Sequence, residues 1–511
     1  MKAWLAALSG ILQIASAQTQ SCRPCHAAIV DTYLQTGMGR SITERPSSLR
    51  ATFYHKLSNR HYDVNAGVMR RYQKGADGAV VNEIAKSIDF GIGSGNHAIT
   101  YANRTPAGIL LELPLSWYRE RSALAMSPGY DKPDHFDMRR EISPACLFCH
   151  AAYPTDAAAL PSSIDCARCH GPASAHLAKP SKENIVNPVR LTADRQREIC
   201  FQCHLETVST GIFDSMRQPK RDVYSYQPGE PLSAYKLYFD RADAPEPRFE
   251  VNHAGYRMLH SACFQKSGGK MTCTTCHDPH SAKTKPASCT GCHAEASAKH
   301  SRQMGSDCAG CHMPKRKPSD AIHVTVTDHW VRRQPKFENP AREGYEPYRG
   351  RVVPFYTEAD SVSLDIANVQ APNEEAVALY RLYLQRDAKD VSVLAALGNA
   401  LFRLGRRQEA VDTLEKTLTL EPSHPGALNT LAIAEATAGN LERAIALLDQ
   451  CRKMRPDHAL TWFNLGATYQ AMEKPLQALQ AFREAIRLQP DFAEARARLA
   501  AVCGSRKLRG C

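Results

Sequence analysis

The chain is 511 residues long, 43% hydrophobic and only 7% aromatic, with a formal net charge of +12. That length allows two or more domains with their own cores. The positive balance raises nucleic acid or an acidic membrane surface as a partner, and the cysteine pattern described next removes the need for either.

The start carries Met1-Lys2, an apolar run from Ala3 to Ile14, and then Ala15, Ser16 and Ala17. This is the pattern of a secretory signal peptide over residues 1–17, cut before Gln18. The apolar run is too short to span a bilayer comfortably, which disfavours an anchor. Thr19, Gln20 and Ser21 make a poor lipoprotein box ahead of Cys22. No later segment is apolar for a full span, so the mature chain is expected to be exported, periplasmic and without a transmembrane segment.

From Cys22 onward the chain contains seven Cys-x-x-Cys-His motifs. Their cysteines are Cys22 and Cys25, Cys146 and Cys149, Cys166 and Cys169, Cys200 and Cys203, Cys273 and Cys276, Cys289 and Cys292, and Cys308 and Cys311. Their histidines are His26, His150, His170, His204, His277, His293 and His312. This is the attachment signature of c-type haem. The two thiols bond to the porphyrin vinyl groups, and the adjacent His becomes the proximal ligand of the iron. A disulfide or zinc framework is the competing reading of paired cysteines. Neither requires a His directly after every pair. Seven ferric haems with ionised propionates would bring +12 to about +5, and full reduction to about −2. The Lys and Arg excess then balances propionates, and no nucleic acid is needed. Low aromatic content agrees, because porphyrins supply flat apolar surface.

A heptahaem cytochrome c domain is expected over residues 18–335. Between His26 and Cys146 no motif occurs. Alternating runs at 78–88 and 108–115, broken by Gly and Asn, predict a small β-meander over about 50–118. The other six motifs crowd between Cys146 and His312. That span is too short per haem for a conventional side-chain core, so stacked porphyrins wrapped by short helices are expected to form it. Residues 336–372, rich in Pro, Arg and Glu, read as a linker or a surface strap.

The end of the chain is periodic. Pro422, Pro456 and Pro490 keep one step, as do Ala410, Ala444 and Ala478, and Leu397, Leu431 and Leu465. Gly398, Ala432 and Gly466 hold a small residue at one position. This is the 34-residue period of tetratricopeptide repeats. Small residues let paired helices approach, and Pro closes each repeat. Residues 373–503 are expected to form this α-helical solenoid, capped by helices near 374–386 and 492–502, with a tail at 504–511. The resemblance implies a concave surface that binds a protein or peptide.

Eleven histidines of the haem region lie outside the motifs: His55, His61, His97, His135, His176, His253, His260, His280, His300, His323 and His329. Seven sixth ligands are needed for seven closed sites, so the supply suffices. His280 follows His277 too closely to reach the far face of the same haem, and should ligate a neighbour. His176, six residues after His170, is argued alike. His323 and His329 follow the last motif and can cap haems from outside.

The segments around His170 and His176, around His277 and His280, and around His312 to Lys315 resemble bacterial multihaem cytochromes c. That superfamily includes the tetrahaem partner of hydroxylamine oxidoreductase, that enzyme itself, and pentahaem nitrite reductase. The stretches Gly93–His97, Ser127–Asp131 and Thr327–Trp330 are similar to exported multihaem proteins carrying tetratricopeptide repeats. The resemblance implies packed haem pairs and mostly bis-His ligation. It favours His97, His135, His176, His280, His300, His323 and His329 as sixth ligands, with His55, His61, His253 and His260 as substitutes. No Cys-x-x-Cys-Lys motif is present, a departure from the nitrite reductases that leaves catalysis unsupported. The expected fold is mainly α, and the expected function is electron relay between redox partner proteins. The alternatives are a reductase acting on a small nitrogen or sulfur compound at one five-coordinate haem, and an assembly scaffold. Of the remaining cysteines, Cys451 reads as a buried thiol and Cys263 as a packed thiol. Cys503 and Cys511 could pair or fray with the terminus.

Overall fold

The computed structural model describes residues 17–44, 49–154, 159–205, 217–243, 249–285, 289–295, 307–321, 323–334, 348, 350–369 and 371–505. The signal-peptide reading falls mostly outside them, as do His300 and Cys511.

A first helix, α1 (Ala17–Tyr33), carries the first motif and is kinked at His26. Nine strands follow, and they form two antiparallel sheets rather than one meander. Strands β2 (Ala51–His55), β3 (Arg60–Asn65), β4 (Val68–Lys74) and β5 (Val80–Ser87) pair consecutively. Strands β6 (Phe90–Ile92), β7 (Ala98–Arg104), β8 (Leu110–Tyr118) and β9 (Ala123–Met126) pair likewise. The short β1 (Ile42–Glu44) closes the second sheet by pairing with β6. The alternation in β3 puts Tyr62 and Val64 inside, where they meet Ile99, Tyr101, Leu113 and Leu115 of the other sheet. A mainly α architecture therefore does not describe the N-terminal region. The pairing of β1 with a strand far along the chain is a long-range contact that no local period announces.

The motif helices are short, and several end on the motif histidine. They are α2 (Pro144–His150), α3 (Ala167–His170), α4 (Ser174–Ala178), which carries His176, and α5 (Ala193–His204). Thr192 caps α5 by accepting from the Arg195 N–H, which satisfies one orphan donor of the first turn. Next come β10 (Phe239–Arg241), α6 (Ala254–Leu259) and α7 (Ala262–Lys266). The last described motif lies on α8 (Cys308–His312), ahead of a hairpin of β11 (Lys315–Arg316) and β12 (Val326–Thr327).

Part of the expected strap is core structure. Strand β13 (Val352–Pro354) pairs with β10, and α9 (Ser361–Ala367) buries Val362 and Ile366. Both share one apolar cluster with Tyr380 and Leu397 of the helices that follow. Those helices form a solenoid: α10 (Glu374–Leu384), α11 (Val391–Arg403), α12 (Arg407–Leu420), α13 (Pro425–Ala438), α14 (Leu441–Met454), α15 (Ala459–Ala471), α16 (Pro475–Leu488) and α17 (Ala493–Ser505). Asn373 and Asp390 cap α10 and α11 through their side chains. The repeated small residue has a direct cause. A Cβ at Gly398 would lie 2.7 Å from Leu414, and one at Gly466 would lie 2.6 Å from Phe482. Paired helices touch there, and nothing larger fits without displacement.

The solenoid is bolted to the four-stranded sheet. Buried Asp137 pairs with Arg71 at 2.6 Å and faces Arg60 at 3.7 Å. Arg60 continues to Asp491 at 3.0 Å, and Arg71 donates to the Leu488 carbonyl at 3.0 Å. Lys86 meets Asp457 at 2.8 Å, and Arg139 donates to Gln489 at 2.7 Å. Burial raises the Asp137 carboxyl, but Arg71 and Arg60 outweigh it and hold it below the usual range. The contacts fall at the turns that end the second and third repeats, so this edge of the solenoid attaches to the sheet, while its first helices share the apolar cluster with β10 and β13.

Candidate functional site

Three motif histidines stand face to face with a histidine from elsewhere. His26 and His176 have ring centres 6.4 Å apart with planes 17° from parallel. His170 and His280 are 6.0 Å apart at 14°, and His277 and His329 are 6.2 Å apart at 33°. Two imidazoles on opposite sides of a metal would have this spacing, and stacked aromatic rings have it too, as His260 and Phe355 do at 6.0 Å and 22°. The nitrogen sits about 2 Å from the metal and the ring centre about 1 Å further back, so the centres lie about 6 Å apart.

The second nitrogen of these rings is engaged. His176 Nδ1 lies 2.8 Å from the Ser181 carbonyl, His170 Nδ1 2.8 Å from Val186, and His329 Nδ1 3.0 Å from Thr327. A carbonyl only accepts, so each Nδ1 carries a proton, and in the neutral ring the lone pair is then on Nε2. Each pair thus has at least one ring whose tautomer is set for ligation through Nε2. His312 is oriented the same way by the Arg332 carbonyl at 2.8 Å. Carbonyls that hold the far nitrogen in this manner are the usual support of metal-bound imidazole.

The electrostatics agree with neutral rings. Burial lowers His170, with His280 and His26 adding to the effect against the Val186 hydrogen bond. Burial also lowers His277, and it lowers His329, to which His277 and His204 contribute. His150 and His204 have accessible surface yet are densely surrounded, and desolvation holds both below the usual imidazole range. Neutral imidazole is the form that binds iron.

All fourteen motif cysteines are free thiols, so none is used in a disulfide. Thiols of different motifs are neighbours. Cys203 is pulled down to about 7, chiefly by a hydrogen bond with Cys149. Cys166 is pushed up to about 12 by burial and by Cys22. Among the described residues, no group of three or more His, Cys, Asp or Glu side chains is placed to hold a metal ion.

The other proposed ligands are placed differently. His97 is exposed, 3.7 Å from Glu120. His135 is fully buried in the sheet region, where Arg60 approaches Nε2 to 3.0 Å and the Asp137 N–H reaches Nδ1 at 3.0 Å. Burial, against the pull of Asp137, lowers His135 to about 3. His323 lies on Arg121 at 2.8 Å and edge-on to Tyr118. These placements bring none of the three against a motif ring, because strands and the Arg60–Asp137 network fix them elsewhere. Of the substitutes, His55 bonds Ser58 and Asp131, and His61 lies between Tyr54 and Tyr72. His253 pairs with Glu250 at 3.0 Å. His260 sits among Tyr256, Trp330 and Phe355. The sequence reading missed the orienting carbonyls of Ser181, Val186, Thr327 and Arg332. Every residue has a carbonyl, so no residue type signals that role. Cys451 is buried and pushed up to about 11 by desolvation, and Cys503 is disulfide-bonded.

The fold of the C-terminal region defines a solenoid of antiparallel helical hairpins. These hairpins are tetratricopeptide repeats: models of the tetratricopeptide repeat match residues 391–424 and 423–491. Similar solved structures include a crystal structure of MamA, 22% identical, covering 30% of this chain and 88% of that one with a TM-score of 0.27. MamA 41-end from Desulfovibrio magneticus RS-1 is 23% identical over 29% of this chain and 82% of that one, with a TM-score of 0.27. The first TPR of Spaghetti (RPAP3) bound to HSP90 peptide SRMEEVD is 22% identical over 23% of this chain and 94% of that one, with a TM-score of 0.23. No curated protein matches the chain. The repeats are a protein-interaction module, and among the described residues no helix is long and apolar enough to cross a membrane.

Proposed function

We propose that the chain is an exported multihaem cytochrome c that passes electrons from a reduced donor protein to an oxidised acceptor protein, with the repeats docking one partner. The observation that carries this reading is the set of opposed histidine pairs at 6.0 to 6.4 Å, each containing one motif histidine. Cys22 and Cys25, Cys166 and Cys169, and Cys273 and Cys276 would tether the haems of those pairs. The remaining four motifs, with His150, His204, His293 and His312, would tether the others. When bound, haem supplies an iron that changes by one electron, and two imidazoles hold it at a lower potential than a Met/His pair would. The protein's part is positional. Ser181, Val186 and Thr327 hold the Nδ1 side of His176, His170 and His329 and would leave Nε2 of those rings to the iron. His26 with His176, His170 with His280 and His277 with His329 would hold an iron on both sides, and a haem held so would serve electron relay rather than catalysis.

Thin side-chain packing supports the reading as well. Between Met258 and Val352, Val324 is the one buried apolar side chain among the described residues, although three motifs lie in that span. Localisation follows from the chemistry proposed and from the signal-like start: c-type haem is joined on the outer side of the bacterial inner membrane.

The test is haem stoichiometry and spin state. Purified full-length protein, coexpressed with a haem-attachment system, should carry seven haems by alkaline pyridine spectroscopy. Its ferric electron paramagnetic resonance should be low-spin. A protein that takes up no covalent haem ends the proposal, and a strong high-spin signal moves it to catalysis at an open iron.

A further inference from the structure

The distal histidines are attached to other motifs, and this orders the sites in space. His176 lies six residues after His170, so α3 and α4 hold the proximal ligand of one site and the distal ligand of another. An extended six-residue tether reaches at most about 21 Å, and a helical one reaches less. His280 lies three residues after His277, a tether of at most about 11 Å. His329 lies further from His312 in sequence, but the hairpin closes the gap. Lys315 pairs with Thr327, Asp328 N–H donates to the Pro314 carbonyl at 3.0 Å, and His312 Nδ1 donates to Arg332 at 2.8 Å. Paired strands of such a hairpin lie about 4.8 Å apart.

Helix α5, with Cys200 and Cys203, sits among the others. It touches α2, α3 and the turn Cys273–Thr275. Cys203 Sγ is 3.9 Å from the Phe148 carbonyl and 3.9 Å from Arg168 Nη2. Cys149, Cys200, Cys203 and Cys273 line one apolar cluster with Phe148, Tyr235 and Tyr238.

Resting on the haem reading above, we infer that the sites form a relay in the order Cys22, Cys166, Cys273, Cys308, named by the first cysteine of each motif. The Cys200 site is a hub between the Cys166 and Cys273 sites, and the Cys146 site joins beside it. Chain order and spatial order therefore differ: the second motif is a branch, and the first is an end. Each link is enforced by covalent tethers, because a distal ligand cannot move away from its iron without dragging the next proximal ligand.

Iron-edge anomalous diffraction from crystals of the haem-loaded full chain tests the order. The expected irons lie between His26 and His176, His170 and His280, and His277 and His329, with neighbours in the stated sequence. Irons at the motifs but with His176, His280 or His329 on other partners overturn the order and leave the haem reading intact. No iron at the motifs overturns the haem reading itself. In solution, His280→Met should convert the bis-imidazole signal of one haem to His/Met while seven haems remain bound. In a Cys166→Ser, Cys169→Ser background, six haems should remain and His280→Met should add no His/Met signal. A His/Met signal persisting there assigns His280 to another iron and sinks the inference. If that background fails to fold, the diffraction arm still decides.

Discussion

The repeat region and the motif region solve the same packing problem by different means. The solenoid buries Leu397, Leu401, Leu414, Leu428, Leu431, Leu448 and Leu465, with Ala410, Ala444 and Ala478 at the close approaches. Its core is made by its own side chains, and each hairpin contributes the same set. The stretch from α7 to β13 has several motifs and almost no buried apolar side chain of its own among the described residues. There the ordered features are hydrogen-bonded turns, histidine pairs and the Asp328 cluster with Arg257 at 2.6 Å and Arg316 at 2.9 Å. A region that lacks a side-chain core is expected to depend on what its cysteines bind, whereas a region with one is not.

The largest effect that could break this contrast is the one the haem proposal makes. Full-length protein made without an attachment system should be cleaved by protease within 262–334 while 391–491 stays protected. Equal protection of both segments would show that the motif region supports itself. Next is the buried charge between the regions. Asp137→Asn leaves Arg71 buried without its carboxylate and Arg60 with Asp491 alone, and should cost about 3 to 5 kcal/mol in urea denaturation. An unchanged midpoint would mean that the sheet and the solenoid do not stabilise each other.

The third is a pH effect at the same junction. Burial, with Arg455 and Arg139 adding and Asp457 opposing, lowers His458 to about 4. An unfolded His titrates near about 6.5. The unfolded chain therefore binds the extra proton first, and stability falls as pH drops from about 6.5 to about 4, by up to about 3 kcal/mol. His458→Gln should flatten that part of the stability profile, and an unaltered slope would assign it to other groups. The fourth is local to the solenoid. Gly466→Ala forces Phe482 aside and should cost about 1 to 3 kcal/mol, measured by the helical melt. The same change at Gly405, where nothing lies within 4 Å of the added Cβ, meets backbone strain at φ 77° instead of a clash.

How much was legible in the sequence follows from the range of the interactions. The solenoid was legible because Pro422, Pro456 and Pro490 mark a local unit that repeats, and each unit packs on its neighbour. The two sheets were only partly legible. Alternation signalled strands within about 50–118, but the pairing of β1 with β6 and the return of β9 along β8 extended the β region in both directions. The strap was misread, since Val352, Val362 and Ile366 become buried only because Phe239 and Tyr380 are brought to them. For the candidate site, His176, His280 and His329 are the expected residues that the fold brings beside a motif ring. His97, His135 and His323 were equally plausible on paper, and Arg60, Glu120 and Arg121 occupy their surroundings instead.

By itself, the sequence determined the things that depend on adjacent residues: seven cysteine pairs each followed by histidine, and three helical hairpins in one register. Only the tertiary structure decided which histidine faces which. His26 meets His176, and His170 meets His280, across long stretches of intervening chain. Rings that meet from two sides of one point do not both come from a single short segment. The second has to come from wherever folding delivers it.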